Sequence, residues 1–195
     1  ILVIPHGINP SIYKPVHEQR RKLFRDALGI RDDEFLILSV GGMFHNKGID
    51  LLVIAFAELK QKYDNIRLVL KDSSSLYGFS ARDLLSHIYK TNIRLKPDAL
   101  LSSITVLSDN LNLAQLNGLY GAADCYVSPY RAEGFNLTPL EAAASGTPIL
   151  VTKGGSTDDY FHESFGLQIE GRAAEKDGRH SIEPSLDSLI HQLSI

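Results

Sequence analysis

The sequence predicts an α/β protein built on a mainly parallel sheet with helices on both faces. Short apolar runs alternate with longer stretches of helical periodicity, the signature of a mainly parallel sheet, and several of the strand-like runs end at glycines or polar loops. That alternation is the pattern of a doubly wound, Rossmann-like domain.

Each element follows from its local residues. Pro5 to Pro15 is turn-rich and reads as a linker, and 17–28 carries apolar and charged positions at helical spacing before stopping at Gly29. Phe35-Leu36-Ile37-Leu38-Ser39-Val40 is a buried strand ended by Gly41-Gly42. From Ile49 to Lys62, Leu51, Leu52, Ile54, Ala55 and Leu59 form an inward stripe on a helix. Ile66–Leu70 is a second strand, 81–90 a helix, and Ile104–Leu107 a third strand. Asn112 caps a helix to about Ala122, Cys125-Tyr126-Val127 is a fourth strand, and Thr138-Pro139 opens a helix that ends at Gly146. Pro148–Val151 and Leu167–Ile169 supply two more strands. Beyond Gly171 the composition is polar up to Pro184, after which Leu186, Leu189, Ile190 and Leu193 fit a closing helix. The chain thus divides into a linker (1–16), a Rossmann-like domain (17–170) and a C-terminal polar segment with its helix (171–195).

Composition narrows the function classes. The 195 residues are 44% hydrophobic and 22% charged, enough for one full core. The net charge of −3, without a basic block, disfavours nucleic acid as a partner. The single cysteine, Cys125, excludes an internal disulfide and suits a buried strand in a reducing, cytoplasmic setting. Ile1-Leu2-Val3-Ile4 stops at Pro5, too short for a signal peptide or a spanning helix, and its mid-strand start without Met suggests a piece of a longer protein. Membrane association is left open. The seven histidines have no metal-ligand spacing, so no metal is expected.

In open parallel sheets ligands bind beyond the carboxyl ends of the strands. That rule selects the loops Gly41–Gly48, Lys71–Gly78 and Ser128–Thr138, where the chemically loaded residues fall. Gly41, Gly42, Asn46, Lys47 and Gly48 join strand to helix; the glycines allow close backbone approach, and Lys47 can meet phosphate as a point charge. The glycine spacing is neither the dinucleotide fingerprint nor a P-loop, which argues against a nicotinamide dehydrogenase. Glu133 and Glu141 stand eight positions apart. Glu133 precedes Gly134 in a loop where no local rule demands an acid. Glu141 falls at the third position of a helix begun at Thr138, so it serves either a capping box or a ligand. The helix start offers unpaired amides to a phosphate. Lys71 either adds a second cation there or simply ends a strand, and Arg131 either reaches the same cavity or pairs with Glu133.

At these residues the chain resembles the C-terminal, donor-binding domain of retaining glycosyltransferases of the GT-B fold, group 1 (family four). Val3-Ile4-Pro5-His6-Gly7-Ile8-Asn9 resembles the interdomain linker, Val40-Gly41-Gly42 through Leu52 the phosphate loop and its helix, and Leu116 through Asp124 the helix before the glutamate motif. Glu133-Gly134-Phe135 through Ala142, with Gly146-Thr147-Pro148-Ile149, resembles the motif of two glutamates separated by seven residues. The resemblance implies transfer of a hexose from a nucleotide-diphosphate sugar with retained configuration. It implies that Glu133 lies against the sugar, and that amides of Gly134, Phe135, Asn136 and Leu137 hold hydroxyls and phosphate. Thr138 would then serve the diphosphate, Glu141 the ribose, Lys47 the leaving group in place of a metal, and Lys71 and Leu107 would border the base. An N-terminal acceptor domain would complete the enzyme, leaving this chain inactive alone. A GT-B epimerase or phosphorylase, and a non-catalytic binding module, are the alternatives. Gly42 and Asn46 stand where the family commonly has a phosphate-binding Arg, a contact worth about 1.5–3 kcal/mol unless Lys71 or Arg131 compensates. Asn136 stands where Gly is frequent.

Overall fold

The computed structural model describes residues 2, 4–91, 100–176 and 178–194. Its centre is a six-stranded, all-parallel sheet of β1 (Phe35–Gly41), β2 (Ile66–Asp72), β3 (Ile104–Leu107), β4 (Cys125–Ser128), β5 (Ile149–Thr152) and β6 (Gly166–Ile169). The spatial order is β3-β2-β1-β4-β5-β6, so the strand order reverses between β1 and β4. The expected sheet forms at the expected residues. The strand-like start at Ile1–Ile4 rests on Ile1 and Val3, which lie outside the described residues.

Alternating side chains place one core on each face. Ile37, Leu68, Leu70, Val127 and Leu150 meet α2 (Ile49–Lys60), α4 (Ala81–Thr91) and α7 (Leu186–Leu193) through Leu52, Phe56, Leu85, Ile88 and Leu189. Leu36, Leu38, Val69, Tyr126 and Val151 meet α5 (Leu113–Ala122) and α6 (Leu137–Ala144) through Leu119, Tyr120 and Ala142. Each fully buried Leu or Phe contributes about 1.5–3 kcal/mol of transfer free energy. The turn at 9–13 adds Tyr13 to the second core. α1 (Glu18–Ala27) is fastened there by Asp124, which accepts from Arg21 (2.5 Å), Arg25 (3.0 Å) and the Leu36 amide (2.7 Å). A short α3 (Ser74–Tyr77) follows β2.

Asn112 caps α5 in a reciprocal box with Gln115, at 2.9 Å each way. One expectation needs correction. α6 begins at Leu137, after Asn136 in a left-handed conformation (φ 62), and not at Thr138-Pro139; Pro139 sits in the first turn, where a missing N–H costs nothing. Thr138 is therefore inside the helix, and Glu141 lies beyond capping-box position. The polar stretch after Gly171 is an antiparallel hairpin, β7 (Gly171–Lys176) with β8 (Arg179–Pro184), pinned to the body by the Ile182 amide donating to the Arg131 carbonyl at 2.8 Å. Among the described residues no helix is long and apolar enough to cross a membrane.

Candidate functional site

The reversal between β1 and β4 opens a crevice beyond their carboxyl ends, and the two richest loops leave from it. After β1 the chain makes a single 3-10 turn, His45–Lys47, then passes through Gly48 into α2. Gly48 has φ +68, and a Cβ there would lie 1.8 Å from the Pro129 carbonyl oxygen, so only glycine lets the two loops touch. The amides of Arg131 and Ala132 both donate to the Asn46 carbonyl (2.7 and 3.3 Å), and the Asn46 side chain donates to the Ala132 carbonyl at 3.0 Å. Asn46, expected to face substrate, instead has its amide engaged in this clasp.

Arg131 completes the clasp. Its guanidinium forks onto Asp50 (2.7 and 2.9 Å), donates to the His45 carbonyl (2.7 Å) and pairs with Glu183 on β8 (2.9 Å). Of the alternatives expected for Arg131, the pairing with Glu133 is not formed, while Arg131 and Glu133 border one small cavity; the guanidinium's hydrogen bonds go to Asp50, His45 and Glu183.

The clasp sets Lys47 against Glu133. The Lys47 ammonium forms an ion pair with Glu133 Oε1, with the Glu133 side chain 12% exposed and that of Lys47 27%. Next to them a Cβ on Gly134 would meet nothing within 4 Å, so the backbone there faces open space. Phe135 rests between His6 and Tyr160, each ring centroid 5.4 Å away. Asn136 is held on three sides. Its side-chain amide donates to Ser128 Oγ (3.0 Å), its carbonyl accepts from Tyr160 Oη (2.6 Å), and its Oδ1 lies 3.4 Å from Thr138 Oγ1. Thr138 Oγ1 also receives Tyr126 Oη (2.8 Å), which lies 3.2 Å from the Val40 carbonyl as well. The first turn of α6 is thus built into the edge of β1, with exposed Leu137 at its tip.

Gly41, Gly42, Lys47, Glu133, Gly134, Phe135, Asn136, Leu137 and Thr138 gather on the two loops flanking the crevice. Lys71 and Leu107 lie further along the same edge, paired to each other in register, with Lys71 also beside Val40. Lys71 is buried, donates to the Asp72 carbonyl, and has its pKa pushed down by burial against the pull of Asp72 and Asp109. Glu141, one turn into α6, accepts from Tyr120 Oη at 2.7 Å and also interacts with Tyr13. The tyrosines at 13, 120, 126 and 160 were not selected from the sequence. The available signal was a phenol within apolar runs, since a buried hydroxyl must find a partner. Cys125 is half-buried in β4, and burial pushes its thiol up to about 12.

A cavity of about 220 Å³ separates Glu133 from the hairpin, bordered by Tyr130, Ser156 and His180. Two larger cavities, about 750 and 690 Å³, lie along α4 and include neither Glu133 nor Lys47. Among the described residues no cluster of three or more His, Cys, Asp or Glu side chains is arranged to hold a metal.

This sheet order, with the two loops at its reversal, defines a Rossmann-like domain. Residues 20–183 match the glycosyl transferases group 1, and the chain belongs to that family. It is 33% identical to an uncharacterized glycosyltransferase of Methanocaldococcus jannaschii over 172 residues, covering 87% of this chain and 40% of that protein. It is 30% identical to a D-inositol 3-phosphate glycosyltransferase of Arthrobacter sp. over 173 residues, covering 88% of this chain and 38% of that one. The fold is shared with sucrose-phosphate synthase from Thermosynechococcus elongatus, at a TM-score of 0.74 and 24% identity, across 98% of this chain and 42% of that one. The chain therefore spans about two fifths of the length of the proteins it matches.

Proposed function

We propose that this chain is the donor-binding half of a glycosyltransferase that moves a hexose from a nucleotide-diphosphate sugar to an acceptor with retained configuration. The observation that carries the reading is the Lys47–Glu133 ion pair at the β1/β4 crevice, with Glu133 on the loop that leads into α6. A cation there suits a leaving diphosphate, and it does so without a metal. A carboxylate one side chain away suits the positive charge that develops at the anomeric carbon as the glycosidic bond to phosphate lengthens.

Binding of the donor gives Lys47 a second anion to neutralise. Its contact passes from Glu133 to the diphosphate, and Glu133 turns its negative charge toward the sugar. The open backbone at Gly134 lets the sugar hydroxyls reach the amides of Gly134 to Leu137. Glu141 takes the ribose. Gly41 and Gly42 let the diphosphate lie close to the chain, and the edge at Lys71 and Leu107 borders the base. The acceptor is presented by an N-terminal domain of the same protein, so the present chain binds donor but turns it over poorly.

Calorimetry with uridine, guanosine and adenosine diphosphates tests the site. One of them binds, and Lys47→Ala weakens that binding about tenfold or more, the loss of a charge-assisted contact of about 1.5–3 kcal/mol. Failure of all three to bind removes the donor assignment. Anomeric analysis of the product made by the complete protein decides between retention and inversion.

A further inference from the structure

The reading of Glu141 as the ribose acid leaves its own surroundings unexplained. A carboxylate alone on the first turns of α6 would swing among rotamers and lose side-chain entropy each time it met a diol. It is not alone. Tyr120, fully buried on α5, places its hydroxyl 2.7 Å from Glu141 Oε2. Tyr13, buried in the turn before α1, stacks near Tyr120 and lies close enough to the same carboxylate that burial and then the carboxylate's charge raise the phenol's pKa. The two rings stand 6.2 Å apart, and Tyr120 is packed edge-on against Tyr126 at 5.7 Å, so neither phenol is free to follow a moving carboxylate.

An ionised carboxylate is an acceptor only, with about four lone-pair sites. The Tyr120 phenol occupies one of them, the Tyr13 phenol lies beside the same group, and at least two remain, the number that a vicinal diol needs. Burial raises the pKa of both phenols further above their ordinary value, so they remain donors at any pH the protein meets. The Tyr120 carbonyl is itself fixed by Thr147 Oγ1 at 2.6 Å, and the turn bearing Tyr13 by the Lys14 amide on Asn117 Oδ1 at 3.1 Å. The supports of the carboxylate are supported in turn.

We propose that Tyr120 and Tyr13 are positioning residues that fix the Glu141 carboxylate with two acceptor sites turned to the ribose diol of the donor. The idea rests on the donor reading above, and the experiment keeps the two separable. For the intact chain, affinity is measured for uridine, guanosine and adenosine diphosphates and for their 2′,3′-dideoxy counterparts, and the ratio between the two forms is the readout. The chain prefers the ribose form by about tenfold or more, and Glu141→Ala abolishes that preference. Tyr120→Phe lowers the preference by roughly fivefold while leaving affinity for the dideoxy form unchanged, and Tyr13→Phe does so to a smaller degree. A Tyr120→Phe chain that loses thermal stability yet keeps the full preference makes the phenol a tie between α5 and α6 and overturns the proposal. Should Tyr120→Phe fail to fold, Tyr13→Phe with an unchanged preference has the same consequence. If Glu141→Ala leaves the preference intact, the ribose assignment falls, and the positioning role with it.

Discussion

Glu133 and Lys47 neutralise each other in the free chain, so each is the other's competitor for a ligand. The pair is only partly exposed, which places its strength near the upper end for surface ion pairs, about 1 kcal/mol. Removing the carboxylate charge releases Lys47 to phosphate. Glu133→Gln is therefore expected to bind nucleoside diphosphate more tightly, by roughly fivefold, while abolishing sugar transfer in the complete enzyme. Calorimetry and a transfer assay read the two effects separately, and weaker binding by the variant would show that Glu133 organises the phosphate site instead of competing for it. Gly48 carries a second prediction at the same scale. A methyl group there meets a backbone carbonyl that has no room to move, in a conformation L-residues rarely adopt. Gly48→Ala should cost about 3 kcal/mol or more, measured by urea unfolding, because it forces apart the loops that Arg131 fastens.

Elements formed where one physical signal dominated. The strands at 35–41 and 66–72 are apolar runs closed by glycine or by acid, and a strand buried on both faces leaves little else for such residues to do. α5 was legible through Asn112, whose capping bonds with Gln115 are local. The start of α6 misled because Pro139 suits several positions of a first turn equally well, and the deciding residue, Asn136, is held left-handed by Ser128 and Tyr160 from distant segments. The hairpin at 171–184 was hidden for a related reason. Its strands are largely solvent-facing, so they lack the alternation that marks a half-buried sheet, and its anchor is the tertiary contact between Arg131 and Glu183. Asp72, at the end of β2, illustrates how an element's end is paid for electrostatically. Fully buried, it accepts from the Ala81 amide (2.9 Å), the Ser74 amide (3.1 Å) and Ser108 Oγ (3.0 Å). Burial raises its pKa, but these bonds outweigh burial and hold the carboxyl below the usual carboxylate range. A folded pKa below the unfolded value, about 3.9, gives stability that is complete above that pH and is lost as pH falls through the folded pKa. Asp72→Asn should thus cost about 2 kcal/mol at neutral pH and remove that part of the acid-side loss, in chemical denaturation repeated across pH.

At the scale of the whole molecule, the two clasped loops line one edge of the sheet and the chain spans about two fifths of its relatives' length. Binding and transfer therefore make different demands. In the proposed reading, binding needs the clasped loops, Lys47 and the start of α6; a diphosphate at 100 times its Kd should then stabilise the chain by about 2.7 kcal/mol. Transfer also needs an acceptor hydroxyl held against the anomeric carbon, and such positioning is worth effective concentrations on the order of 10⁵ M or more. With acceptor arriving only by diffusion, the present chain should transfer sugar at least about 10⁴-fold more slowly than a protein in which it is joined to an N-terminal acceptor half, while its affinity for nucleoside diphosphate stays within about tenfold of that protein's. The comparison is made by following nucleoside diphosphate release with both proteins at matched donor occupancy. Equal turnover would place the acceptor site within this chain, on the Glu133 side of the crevice where the hairpin cavity lies, and would remove the need for a second domain in the chemistry.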